Sequence, residues 1–144
     1  MSDYIVDASV VIQRLIRDTY TEQTRALFSQ LTEADNLIVP EFCLLECTNV
    51  LWKQVRFQGM AQSQAELLVN DLAALPLVIM RGRDLLQHGL QIGLRHQLAV
   101  YDSVYIALAL KLNYPLITVD ERQERAAAAE GVTIKALTDF KPLN

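Results

Sequence analysis

The sequence has only two cysteines, two histidines and five glycines among its 144 residues, and each scarcity argues against a class of site. Cys43 and Cys47 lie four residues apart with no further soft ligand at a zinc-like spacing, so we expect buried, reduced thiols. His88 and His96 have no nucleophile beside them, and we do not expect general-base catalysis from either. No glycine-rich phosphate loop of either common type occurs, which argues against a nucleotide-driven activity.

Long apolar runs and an excess of basic residues are also missing. No uncharged apolar stretch approaches the roughly 20 residues that a membrane-spanning helix needs. Asp3 and Asp7 near the start are unlike a secretory signal or a transit peptide, so we expect a cytoplasmic protein without a membrane partner. The net charge of −4 gives no general basic field for nucleic acid, although a metal site built from carboxylates would itself make the balance acidic.

What the sequence does contain is an alternation of β-branched runs and helical patterns. Five runs are predicted strands: 4–6, 37–39, 77–80, 116–119 and 132–137. Helical patterns cover 9–18, 21–34, 41–58, 62–75, 83–97, 102–113 and 121–130. The strand runs are almost wholly apolar, as in a parallel sheet that is covered on both faces. We therefore predict one α/β domain over 1–144, a three-layer α/β/α sandwich with a five-stranded parallel sheet.

Two aspartates directly follow predicted strands. Asp7 comes after the run 4–6, and Asp120 comes after the run 116–119. In an open parallel sheet the ligand site lies outside the carboxyl ends of the strands, so both acids are expected at that edge. An aspartate between a strand and a helix is also a common N-cap, and for each residue capping remains an alternative.

Two further acids fall on helical patterns. Glu46 lies one turn from Phe42 and Val50, which places its carboxylate among apolar neighbours. A buried carboxylate needs compensation, either from an arginine or lysine partner or from a divalent cation shared with other acids. Asp102 shares a helical face with Tyr105 at the edge of an apolar helix, where it could cap the helix or join the other acids.

Carboxylates drawn from four separate elements could converge on one metal ion. Such hard oxygen ligands suit Mg²⁺ or Mn²⁺, and a site of this kind fits metal-assisted hydrolysis of phosphodiester bonds. Ser9 and Thr118 lie two residues from Asp7 and Asp120 respectively, and their hydroxyls could orient a water there. Ser9 could equally be the N-cap of the first helix.

Basic and aromatic residues offer possible contact surfaces. Six cations are candidates for backbone phosphate contacts or belong to solvated helix faces: Arg14, Arg17, Lys53, Arg56, Arg81 and Arg83. Phe42, Trp52 and Phe57 could contact a partner protein, but aromatic residues at helical spacing are more often core, and we assign Trp52 to the core.

The acidic motifs together resemble those of PIN-domain ribonucleases, most closely the VapC-type toxins of prokaryotic toxin–antitoxin pairs. The resemblance covers nearly the whole chain and rests on "VDASV" with Asp7, "LLECTNVL" with Glu46, "YDSVYIALAL" with Asp102 and "LITVDE" with Asp120. It implies the strand order 3-2-1-4-5 and an RNA substrate. It also implies a homodimer and a small antitoxin partner. The four acids carry over as ligands of Mg²⁺ or Mn²⁺ and as catalytic residues, with the hydroxyls of Ser9 and Thr118 in support.

The chain departs from the family pattern after the fourth motif. Many members continue with a further acid and an aromatic residue, in a pattern like "TxDxDF", whereas this chain reads "TVDERQERAA". Glu121 and Glu124 are the nearby acids, and neither is at the usual offset. A second metal ion, and Asp120 as an obligatory ligand, are therefore left open.

Other functions compete with the ribonuclease hypothesis. A dehalogenase-like phosphotransfer enzyme needs an aspartate at position 9, which is serine, and a receiver domain needs an aspartate after its third strand, where Arg81 and Gly82 stand. A catalytically inactive PIN-like module that binds metal or another protein is the stronger alternative. We predict a metal-dependent endoribonuclease of the toxin type.

Overall fold

Four short parallel strands form the central sheet of the protein, in a computed structural model that describes residues 2–142. Residues 1, 143 and 144 of the predicted domain lie outside the described residues. The sheet order is β3-β2-β1-β4, and the strands are β1 (Asp3–Val6), β2 (Asn36–Pro40), β3 (Leu77–Met80) and β4 (Leu116–Ile117). The predicted α/β sandwich with a parallel sheet is confirmed, as is the 3-2-1-4 part of the strand order.

The order of the strands brings the first strand beside the fourth. β1 pairs with both β2 and β4, and Val6 is opposite Ile117. Because paired parallel strands leave the sheet at the same edge, Asp7 and the residues after Ile117 emerge side by side.

The prediction of a fifth strand at 132–137 is wrong. This segment makes a single parallel bridge, between Ile134 and Leu116, at the predicted place beside β4. Val132 and Leu137 are buried, but the residues between them are exposed or half-exposed. A longer strand would therefore gain little stability from the burial of side chains. Leu137 then starts a 3-10 turn (Leu137–Asp139).

β4 is also shorter than the predicted run 116–119, and side-chain hydrogen bonds explain why. The backbone amide of Val119 donates to Oγ of Ser9 at 3.3 Å, and that of Asp120 donates to Oγ1 of Thr118 at 3.0 Å. These two amides therefore donate to hydroxyl oxygens and not to the backbone carbonyls of a neighbouring strand, so the strand pairing ends.

Seven α-helices surround the sheet within residues 2–142. They are α1 (Ala8–Val11), α2 (Thr21–Ser29), α3 (Phe42–Phe57), α4 (Gln62–Ala74), α5 (Leu86–His96), α6 (Val100–Leu112) and α7 (Glu121–Ala129). The predicted helix 9–18 is broken, because α1 passes into a 3-10 turn (Ile12–Arg14). The side chain of Gln13 stabilises this turn by donating to the carbonyl of Ser9 and accepting from the amide of Tyr20.

The core is centred on α6, which is buried from Ser103 to Ala109 and packs against α5 and the sheet. Close approach of α6 to α5 requires glycine, because a Cβ at Gly89 would lie 2.8 Å from Cγ2 of Val104. Cys43 and Cys47 are buried free thiols, as predicted. Among residues 2–142, none of the helices combines the length and the apolar character that crossing a membrane demands.

Candidate active site

Asp7 lies at the centre of a buried hydrogen-bond network where β1 ends. Its side chain is 5% exposed. Oδ1 accepts a hydrogen bond from Oγ of Ser9 at 2.6 Å, and Oδ2 accepts one from Oγ1 of Thr118 at 3.0 Å. The two hydroxyl oxygens are 3.5 Å apart. One aspartate and two hydroxyls, which come from segments 111 residues apart, thus form a single unit.

Of the two capping alternatives for this segment, Asp7 does hold the N-cap position of α1, whereas the alternative for Ser9 is wrong. Asp7 occupies the N-cap position of α1, but its side chain makes no capping hydrogen bond, because both oxygens are engaged by hydroxyls. Ser9 lies inside α1 and is not its N-cap. The carboxyl of Asp7 therefore lies between the start of its own helix, where the Val10 amide lowers its pKa, and the hydroxyls of Ser9 and Thr118.

Asp120 does cap a helix, as the alternative for this residue predicted. Its Oδ1 accepts from the backbone amides of Arg122 at 2.9 Å and Gln123 at 3.1 Å, at the start of α7. Among the described residues no donor contacts its second oxygen, Oδ2. One oxygen of Asp120 thus serves the helix, and the other is available at the edge of the sheet.

Glu46 is compensated by a tyrosine and not by a cation. It lies half-buried on α3, and Oε1 accepts a hydrogen bond of 2.8 Å from the phenol of Tyr105 on α6. Within the described part of the chain it forms no ion pair with arginine or lysine, so the ion-pair alternative is wrong.

Asp102 belongs to the first turn of α6 and does not cap it. The helix begins at Val100, two residues earlier than predicted, and Ala99 holds the N-cap position. The carbonyl of Asp102 accepts a hydrogen bond of 3.0 Å from Nε2 of Gln123, which ties α6 to α7. Its carboxylate lies where the positive end of the helix dipole favours a negative charge.

The four acids share one electrostatic environment. Burial raises the pKa of Asp7 to about 7 against the hydrogen bonds from Ser9 and Thr118, and the charge of Asp102 raises it further. Burial also raises the pKa of Glu46, which the Tyr105 hydrogen bond opposes and Asp102 reinforces. Burial and the charge of Asp120 raise the pKa of Asp102, while Arg122 lowers it. Mutual repulsion of this kind is relieved when a cation binds.

The chemistry of these donors fits a divalent cation such as Mg²⁺ or Mn²⁺. All four are carboxylates, which are the hard oxygen ligands that such ions prefer. Within residues 2–142, however, no three acidic, histidine or cysteine side chains are close enough to form a ready-made ligand group. A metal ion would therefore have to draw the carboxylates together.

Of the four acids, Glu46 alone lines a cleft of about 480 Å³. Glu46 and Ser9 line it next to the site, and its walls continue along α3 and the start of α6. Three further lining residues are Asn49, Lys53 and Tyr101. The cleft is a route by which a substrate could reach the carboxylates.

The other predicted residues have mixed outcomes. Trp52 is 55% exposed and packs edge to face against Phe57, so its assignment to the core is wrong. His96 contacts a carboxylate oxygen of Glu130 at 2.7 Å, away from the four acids. Of the six candidate cations, Lys53 lines the cleft, whereas Arg17 forms a surface ion pair with Glu22.

Sequence reasoning missed the supporting roles of Tyr105 and Gln123. Gln123 is fully buried, and the spacing of Asp120 and Gln123 matches a capping-box pattern, which could have identified it. Tyr105 follows Asp102 by three residues on the same helical face, but its partner on α3 is 59 residues away in sequence. Local patterns could not reveal that pair.

Comparison with known proteins identifies a family and a similar protein of known name. A family model for the PIN domain matches residues 4–129. The chain is 28% identical over 120 residues to Ribonuclease VapC3 of Pyrobaculum aerophilum, which covers 82% of this chain and 89% of that protein.

Two solved structures share the fold at low sequence identity. VapC20 of Mycobacterium tuberculosis, described as a Sarcin-Ricin loop cleaving toxin, has a TM-score of 0.67 and 14% identity over 85% of this chain and 94% of its own. VapBC2 of Rickettsia felis, bound to a DNA fragment from their promoter, has a TM-score of 0.69 and 11% identity over 93% of this chain and 98% of its own.

Proposed function

Because this chain belongs to the PIN domain family, we propose that it is a divalent-metal-dependent endoribonuclease that hydrolyses RNA phosphodiester bonds as the toxin of a toxin–antitoxin pair. The observation that carries the proposal is the buried Asp7 carboxylate, which two hydroxyls hold at the end of β1 within the field of Asp102. Burial and a nearby like charge both make the ionisation of this carboxyl group costly. Groups with such perturbed pKa values cluster at functional sites. The relative from P. aerophilum, named a ribonuclease, supports the same activity.

In this proposal Asp7, Glu46, Asp102 and Asp120 hold Mg²⁺ or Mn²⁺. The ion, when bound, supplies Lewis-acid stabilisation for charge that develops on the attacked phosphate. The hydroxyls of Ser9 and Thr118 fix the orientation of the Asp7 carboxylate and stabilise its ionised form. Asp7 must lose its proton before it can act as a ligand, and the two hydroxyl donors favour that loss.

The proposed protein partners are a cognate antitoxin and a second copy of the chain. The proposed RNA substrate is cytoplasmic. Large apolar side chains are exposed on the outer helices, among them Trp52 and Phe57 on α3, Leu67 on α4, and Leu90 and Leu94 on α5. Exposed apolar groups in such numbers are typical of interaction surfaces.

Calorimetric titration with Mn²⁺, followed by incubation with structured RNA, tests the activity. Wild type should bind the ion and cut RNA only when metal is present, whereas Asp7→Asn should do neither. Asp71→Asn, which removes an exposed acid on α4, is the matched control and should behave as wild type. Metal binding by wild type without any cleavage would support the inactive-module alternative, and cleavage in EDTA would contradict the metal site.

A further inference from the structure

Two aromatic rings, Phe42 and Tyr101, line the cleft beside Glu46, and a third, Tyr105, is buried against Phe42. Phe42 packs edge to face against Tyr101 and against Tyr105, with 5.5 Å between ring centroids in each case. Tyr105 is buried and is itself fixed by its hydrogen bond to Glu46. Tyr101 is 62% exposed and lines the cleft. The exposed ring of Tyr101 is thus held by Phe42, which in turn packs against the buried ring of Tyr105.

Polar groups on α3 continue the lining of the cleft beyond Phe42. Glu46, Asn49 and Lys53 follow each other at spacings of three and four residues, so they lie along one face of the helix. Within the described part of the chain, the Asn49 amide has no hydrogen-bond partner and the Lys53 ammonium has no ion pair. Along α3, Glu46 is thus followed by the free amide of Asn49 and then by the ammonium of Lys53.

We propose that this cleft is a subsite for one unstacked nucleobase of single-stranded RNA, next to the bond that is cut, an inference that rests on the proposed ribonuclease function. The base stacks on Tyr101, the Asn49 amide pairs with its polar edge, and Lys53 contacts an adjacent phosphate. Aromatic platforms with neighbouring cations are the usual means of holding single-stranded nucleic acid.

The chemistry of the cleft favours this occupant over others. A base inside an A-form duplex has both faces covered by its neighbours, so it cannot stack on Tyr101, and the site selects loops or unpaired segments. The charge pattern also fits, because Lys53 follows Glu46 by about two turns of α3 and offers a cation for a phosphate away from the acids that would bind metal.

Fluorescence titration of short single-stranded RNAs tests the proposal independently of cleavage. The RNAs carry 2-aminopurine at one position at a time, or an abasic nucleotide at the same position, and Mg²⁺ is present. The protein carries Asp7→Asn to prevent hydrolysis. We expect quenching and tight binding for the base at one position, and about tenfold weaker binding when that base is absent. Adding Tyr101→Leu should remove this difference between the two RNAs.

The control is Trp52→Leu in the same background, which removes an exposed aromatic residue of α3 outside the cleft. It should leave the abasic difference unchanged. Equal affinity for intact and abasic RNA at every position would overturn the subsite, as would equal losses in the Tyr101 and Trp52 variants.

Two further measurements separate the possible failures. If unmodified wild type cuts no RNA with Mg²⁺ or Mn²⁺, the proposed function fails, while the titration still decides the subsite. If Tyr101→Leu alters the sedimentation of the protein but not its RNA binding, the cleft serves a contact between copies of the chain, and the nucleobase proposal is wrong.

Discussion

The phenol of Tyr105 donates a 2.8 Å hydrogen bond to Oε1 of Glu46, and this contact joins α6 to α3 at the candidate site. It supplies the compensation that a half-buried carboxylate needs, while leaving its negative charge in place. A lysine or arginine in the same position would neutralise the charge. A neutral donor therefore leaves the charge of Glu46 free for the metal ion that we propose.

Replacing Tyr105 with phenylalanine should weaken Mn²⁺ binding without unfolding the protein, because the ring still packs against Phe42. Loss of a donor to the ionised form raises the pKa of Glu46, so the effect should be larger at pH 6 than at pH 8. Calorimetric titration at both pH values measures it. An equal loss of affinity at both would mean that the Tyr105 hydroxyl orients the Glu46 carboxylate and does not act through its pKa.

Asp7→Asn should stabilise the metal-free protein at alkaline pH. The pKa of Asp7 is raised to about 7 in the folded protein, so the folded state is penalised increasingly as pH rises from about 4 through 7. The neutral amide escapes this penalty. Thermal unfolding in EDTA should therefore give a higher Tm for the variant at pH 8, by the equivalent of a few kcal/mol, and little difference near pH 4. A lower Tm at pH 8 would contradict the assigned burial of this charge.

Gln123→Met should impair metal binding more than stability. The side chain of Gln123 holds the carbonyl of Asp102 through Nε2, while its Oε1 is buried without a partner in the described structure. Methionine loses the hydrogen bond but also removes the unsatisfied oxygen, so the net change in unfolding free energy should stay within about 1 kcal/mol. Mn²⁺ affinity should fall several-fold because α6 and α7 lose their link beside two acids. Unchanged affinity would make Gln123 purely structural.

Glu130→Gln should remove stability only above acidic pH. Hydrogen bonds from Arg95 and His96 lower the pKa of Glu130 to about 2 from its usual 4.5. Its contribution is therefore fully present above pH 4.5 and is lost as pH falls towards 2. Thermal unfolding should show a lower Tm for the variant at pH 6 and convergence with wild type near pH 2. Glu124→Gln, which changes an exposed acid of α7, should follow wild type throughout.

The sequence was sufficient for the sheet and for the general location of the acids. Buried parallel strands require continuous apolar runs, and the first polar residue after such a run marks its end, which located Asp7 and Asp120. The burial of Glu46 followed from its apolar neighbours one turn away. These signals are local in sequence, so they can be recognised without knowledge of the fold.

The errors arose where a tertiary contact overrode a local signal. Ala99 has no polar side chain, so nothing in the sequence marks it as the N-cap, and Asp102 attracted that assignment instead. The apolar character of 132–137 predicted a strand, although only one bridge forms. Trp52 was assigned to the core by its helical spacing, but its ring lies on an outward face of α3.

The hydrogen bond between Thr118 and Asp7 has a consequence for how the protein is made. Thr118 and Asp7 are 111 positions apart in sequence. β1 can pair with β4 only after β4 has been synthesised. A ribosome that is still translating the message therefore carries a chain whose proposed catalytic centre is incomplete. The same topology would delay the proposed activity until synthesis is nearly finished.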